Sequence, residues 1–99
     1  MEVKELQKEI VNFIVKWEKK RNSMPSEQNT FNHLVEELGE LAREYVNKIE
    51  RKEKYNEDEL ENAIGDTLMH LVRLAQLRGL DIEQVVHKII EKEKRFLEK

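Results

Sequence analysis

The stretch His33-Leu34-Val35-Glu36-Glu37-Leu38-Gly39-Glu40-Leu41-Ala42 decides how this chain folds and where its chemistry sits. Wound as a helix at about 100° per residue, it sorts its side chains by face. Phe31, Leu34, Leu38, Leu41, Tyr45 and Ile49 fall on one side, flanked by Val35, Ala42 and Val46. His33, Glu36, Glu37, Glu40 and Glu44 fall on the other. Glu36, Glu37 and Glu40, at i, i+1 and i+4, point into one small region. Gathered carboxylate oxygens suit a hard divalent cation, and Mg²⁺ is usually held by a few carboxylates with water and substrate phosphates. The same residues also make an ordinary solvated acidic face. The flanking segments have to decide between the two.

Working toward the N-terminus, Asn22-Ser23-Met24-Pro25-Ser26 breaks the helix, because Pro25 disfavours helical geometry at Met24. Thr30 or Asn29 is then expected to cap the central helix, which runs to about Arg51. Before the break, Val3, Leu6, Ile10, Phe13 and Trp17 step by three and four, which predicts a helix over about residues 2 to 22. Trp17 ends that stripe beside Lys16, Lys19, Lys20 and Arg21. It reads either as a core aromatic or as a platform for a base, with cations nearby for phosphates.

Working toward the C-terminus, Arg51 to Asn56 is a charged connection with Tyr55 as its one hydrophobic residue, and is expected to be mobile. Asn56 with Glu59 resembles a capping box and opens a third helix, about 57 to 78. Leu60, Ile64, Leu68, Leu71, Val72 and Ala75 form its apolar face. Glu59, Asn62, Asp66, His70 and Arg73 lie on the other side, within roughly 80° of arc. Gly39 and Gly65 each precede an acid in mid-helix, where Gly costs about 1 kcal/mol against Ala. That cost is expected to be offset by a close helix–helix approach. Gly79 reads as a left-handed cap. Asp81 then caps a fourth helix whose apolar face is Ile82, Val85, Val86, Ile89, Ile90, Phe96 and Leu97. Lys88, Lys92 and Arg95 line its flank, where they complement the helix dipole or neutralise phosphate charge. His33 and His87 read as surface residues.

Ninety-nine residues with 39% charged, 6% aromatic, one Pro and three Gly make a single all-α domain of four helices spanning 1–99. The apolar faces of the middle pair are wider than so small a monomer needs, so the four-helix bundle is expected to be completed by oligomerisation. A net charge of −3 with mixed signs argues against general nucleic-acid binding. There is no Cys, which excludes disulfides and thiolate metal sites. No apolar run approaches membrane-spanning length and no secretory pattern opens the chain, so no membrane partner is expected and the default location is cytoplasmic.

The blocks Leu34-Val-Glu-Glu-Leu-Gly-Glu-Leu-Ala42, Ala63-Ile-Gly-Asp-Thr-Leu-Met-His-Leu-Val72 and Gly79-Leu-Asp-Ile-Glu83 resemble the MazG-type all-α nucleoside triphosphate pyrophosphohydrolases. The resemblance runs from about Thr30 to Phe96. It implies a MazG-like helical bundle, assembled as a homodimer or tetramer, that cleaves a nucleoside triphosphate between its α- and β-phosphates to a monophosphate and pyrophosphate. It also implies Mg²⁺, with Mn²⁺ as a substitute, bound by a Glu-Glu-x-x-Glu motif and a Glu-x-x-Asp motif on the next helix. Glu36, Glu37 and Glu40 match the first motif, and Asp66 matches the acid of the second. Where the family places Glu three residues before that acid, this chain has Ala63. Where some relatives place an acid four residues before it, this chain has Asn62, whose amide oxygen is a candidate replacement. In this reading Glu37 is either a ligand or the residue that orients the attacking water. Lys88, Lys92 and Arg95 offset charge on the leaving pyrophosphate. Trp17, from this chain or a neighbour, or Phe31 lines the base pocket, and His70 either supports the metal ligands or contacts the substrate. Two alternatives remain: a member that binds metal or nucleotide without turnover, and a helical interaction module with no metal site.

Overall fold

In the computed structural model, which describes residues 1–98, four helices follow one another without a strand among the described residues. They are α1 (Val3–Lys20), α2 (Glu27–Glu50), α3 (Glu57–Leu77) and α4 (Ile82–Leu97), with one 3₁₀ turn at Lys52–Lys54 between α2 and α3. None of the helices is long and apolar enough to cross a membrane.

The α2–α3 hairpin is the most extensive pairing, with α1 laid against α3 and α4 against α1. Helix α2 starts a turn earlier than the Thr30 or Asn29 cap would have it. The Ser26 hydroxyl accepts the Asn29 N–H at 3.0 Å, so Thr30 lies inside the helix and is buried. The other ends follow their sequence signals. The Asn56 and Asp81 side chains accept the Glu59 and Gln84 N–H groups at 3.0 and 3.2 Å. At the end of α3 Gly79 takes φ +70°, the Leu80 N–H reaches the Ala75 carbonyl, and the Gly79 N–H reaches that of Gln76. That pair of bonds satisfies carbonyls the helix would leave open.

The 51–56 connection, expected to be mobile, is tied down instead. It forms the 3₁₀ turn, and the Asn56 N–H donates to Glu44 Oε1 at 3.1 Å. Tyr55 is half-buried, with Lys48 Nζ at 5.6 Å from its ring centre. Buried Asn47 accepts from Arg51 at 3.3 Å on the same corner. At the hairpin's other end, Arg78 pairs with Glu27.

The seam between α2 and α3 uses only part of the apolar faces. On α2 it comprises Thr30, Leu34, Glu37, Leu41, Glu44 and Asn47, all buried or half-buried. On α3 it comprises Leu60, Ala63, Thr67, His70 and Leu74. The rest of each face lies to one side of it: Val35, Leu38 and Tyr45 are 49%, 46% and 52% exposed, and Ile64, Leu68 and Leu71 are 50%, 46% and 47% exposed. Only Ile10 of the α1 stripe is buried, and α4 buries no residue. Gly39 and Gly65 do not serve close approach within the chain, since a Cβ at either would meet nothing within 4 Å.

Candidate functional site: an acid-ended cavity between three helices

Because Glu37 occupies a seam position, its carboxylate turns inward rather than to bulk water. Its Oε2 is shielded from solvent and has no hydrogen-bond partner among the described residues. Burial first, then the negative charges of Glu40 and Asp66 and a side-chain hydrogen bond with Glu40, push its carboxyl above the ordinary value, and His70 opposes them. A shielded carboxylate beside two further acids is costly unless a cation or a proton arrives. Among the described residues no three His, Asp or Glu side chains are already closed on one point as a ligand set. The acids converge without being locked together.

Glu36, Glu37 and Asp66 line a cavity of about 690 Å³ bounded by α1, α2, α3 and the 23–26 loop. Glu36 and Glu37 enter it from α2, Asp66, Met69, His70 and Arg73 from α3, and Phe13, Trp17 and Glu18 from α1, with Arg21 just past the end of α1. The His70 Nδ1 lies 2.8 Å from the Asp66 carbonyl oxygen. A carbonyl can only accept, so Nδ1 carries the proton and Nε2 presents a lone pair when the ring is neutral. The His33 and His70 rings stand 6.0 Å apart across the seam, and His33 Nδ1 is 3.5 Å from Glu36 Oε2. The Arg21 guanidinium sits 4.6 Å from the Trp17 ring centre, in cation–π range.

The structure therefore gathers Glu36, Glu37, Asp66, His70 and Trp17 around one space, with Glu40 beside Glu37, and Trp17 comes from the same chain. It does not bring the remaining candidates there. Asn62 is exposed on α3 and outside the cavity wall. Lys88, Lys92 and Arg95 are exposed on α4, also outside it. Phe31 lines a separate shallow depression with Leu74, and Phe13 takes the aromatic place in the main cavity. His87 is a surface residue, 3.9 Å from Glu91, as expected. His33, by contrast, belongs to the cavity wall although it keeps much of its exposure. Arg73 was legible as part of the polar strip of α3 that carries Asp66 and His70, but Glu18 and the loop residues Ser23 to Ser26 carried no sequence signal for this place, since they meet α3 across long stretches of chain.

The chain is an all-helical protein built around a long α2–α3 hairpin. The particular family is given by the family model for the MazG nucleotide pyrophosphohydrolase domain, which matches residues 25–96. The chain belongs to that family. No curated protein and no solved structure matches it.

Proposed function

We propose that the chain is a divalent-metal-dependent hydrolase that cleaves nucleoside triphosphates between the α- and β-phosphates, releasing pyrophosphate. The observation that carries this reading is the solvent-shielded Glu37 oxygen beside Glu40 and Asp66, in a cavity that Trp17 also lines. The donor set is all oxygen, which fits Mg²⁺ or Mn²⁺. Glu36, Glu40 and Asp66 would hold the cation beside Glu37, and Asn62, exposed outside the cavity, does not stand where it could join them. The bound cation supplies charge neutralisation and polarisation of the phosphoryl oxygens.

The chain's own residues do the rest. Glu37 orients the attacking water and takes its proton at Oε2 as the bond to the leaving pyrophosphate breaks. His70, its Nδ1–H held by the Asp66 carbonyl, offers Nε2 to the substrate. Trp17 stacks on the base, its far face occupied by Arg21. The role of Lys88, Lys92 and Arg95 at the pyrophosphate belongs to a neighbouring copy in a homodimer or tetramer, since these residues stand away from their own chain's cavity. The cytoplasm, which holds nucleoside triphosphates, is the compartment this substrate implies.

Calorimetric titration of Mn²⁺ is expected to show binding to wild type and none to Glu40→Ala. A panel of nucleoside triphosphates with Mg²⁺ is expected to yield pyrophosphate. Equal Mn²⁺ binding by both proteins removes the site assignment, and orthophosphate release removes α–β cleavage. A second reading, nucleotide binding without turnover, is favoured by Ala63, a buried methyl at the seam where the family pattern has a carboxylate. Nucleotide binding with no pyrophosphate would select it. An interaction module without a metal site would show no metal effect on thermal stability.

A further inference from the structure

We propose that Arg73 is a positioning residue, which through Glu18 fixes the aromatic side chains of the cavity at a set distance from its acids. The inference rests on the nucleotide reading above. Arg73 lies on α3 and is only 5% exposed. Its Nη2 donates to Glu18 Oε1 at 2.7 Å and its Nε approaches Oε2 at 3.4 Å, a two-pronged grip on α1. Its Nη1 is held by Gln76 on the same helix. Glu18 is the direct neighbour of Trp17, and both residues line the cavity.

A pair this buried is a poor device for stability alone, because apolar residues of similar volume often serve as well or better. What a bidentate guanidinium adds is a fixed geometry between the helices it joins. Helix α1 has another polar tie far from the cavity, where Gln7 accepts the Ile82 N–H and donates to the Leu80 carbonyl, each at 3.2 Å. The Glu18–Arg73 pair is its ion pair to α3 at the cavity itself. Arg73 follows Asp66 by seven residues, or about 10 Å of helix. Both residues line the cavity, about two helical turns apart on α3. The acids are held independently by the α2–α3 seam. Glu18 also lies before the matched span of 25–96, so this half of the device is outside what the family model describes.

Loosening the pair should disturb the placing of the nucleoside while leaving metal binding intact. Glu18→Leu combined with Arg73→Met removes the pair without stranding either charge. In that variant KM for the best nucleoside triphosphate is expected to rise roughly tenfold, equivalent to about 1.4 kcal/mol. Its kcat should stay within about twofold, the signature of lost binding rather than lost chemistry. Mn²⁺ affinity by calorimetry should equal that of wild type. Arg73→Lys, which keeps the charge but not the fork, should fall between the two. If the double variant does not fold, Glu18→Gln decides by the same KM criterion. An unchanged KM in a folded variant overturns the inference and spares the nucleotide reading. So does a joint fall of KM performance, kcat and Mn²⁺ affinity, which would make the pair merely structural. A wild type that neither binds nor cleaves nucleoside triphosphates overturns both.

Discussion

Glu37 is where the chemistry and the stability of this protein meet. Its carboxyl titrates above the ordinary 4.5 because burial, Glu40 and Asp66 all disfavour the charged form. In the unfolded chain none of these pressures acts. As pH rises above about 4.5, the unfolded chain therefore releases this proton before the folded one does, and stability falls through the raised folded value. Metal-free protein is thus expected to lose melting temperature over that window. Glu37→Gln, which cannot ionise, should flatten the loss, raise the melting temperature at neutral pH in the presence of chelator, and weaken Mn²⁺ binding. Circular-dichroism melts from about pH 4 to 8 check this, and parallel profiles for variant and wild type would count against it. The acids themselves were legible in the sequence, because Glu36, Glu37, Glu40 and Asp66 obey a helical spacing. That Glu37, and not Glu36, Glu40 or Asp66, turns into the seam was not, since it depends on which stripe of α2 meets α3. The pairing of Glu18 with Arg73 was illegible for a different reason: they are 55 positions apart, and only the lie of α1 joins them.

At the scale of the elements, the ends were readable and the seam was not. Asn56, Asp81 and Gly79 terminate helices by local hydrogen bonds, and local bonds leave local signatures. Ser26 does the same and was passed over for Thr30 and Asn29, which share its chemistry but stand within the helix. The seam was not readable because helical periodicity marks an apolar face without saying which part of it meets the neighbouring helix: Leu34, Leu41 and Leu60 enter the contact beside Thr30, Asn47, Ala63 and Thr67, and the rest of each face stays outside it. Two glycines separate these effects experimentally. At Gly79, φ is +70°, so Gly79→Ala should cost about 1–2 kcal/mol. That would lower the melting temperature by roughly 4–8 °C per kcal/mol in a domain of this size. At Gly65 the backbone is helical and a Cβ meets nothing within 4 Å, so Gly65→Ala should raise the melting temperature. The gain should be about 1 kcal/mol of helix propensity. A loss at Gly65 would reveal a surface packed there that the single chain does not contain.

At the scale of the whole molecule the single chain is open. Its radius of gyration is 16.4 Å, against about 13 Å for a compact domain of 100 residues. Apolar side chains line three of its surfaces: Val35, Leu38 and Tyr45 on α2, Ile64, Leu68 and Leu71 on α3, and Val85, Val86, Ile89 and Ile90 on α4. Monomeric proteins rarely leave contiguous apolar patches so uncovered. The two hairpin stripes flank one seam and run along its length, a shape that a second hairpin of the same sequence complements. The expected state in solution is therefore an assembly of two or four chains. Light scattering should give an integral multiple of the chain mass, and the melting temperature should rise with protein concentration by mass action. Leu38→Glu with Leu68→Glu puts like charges on both stripes while keeping good helix formers. That variant should shift the mass toward one chain and lose cooperative melting, because a chain that buries so little alone has no complete core of its own. A wild type that stays at the mass of one chain, with a melting temperature independent of concentration, would show that α2 and α3 are stable with these stripes in water. The role of Lys88, Lys92 and Arg95 in a neighbouring cavity would then fall with it.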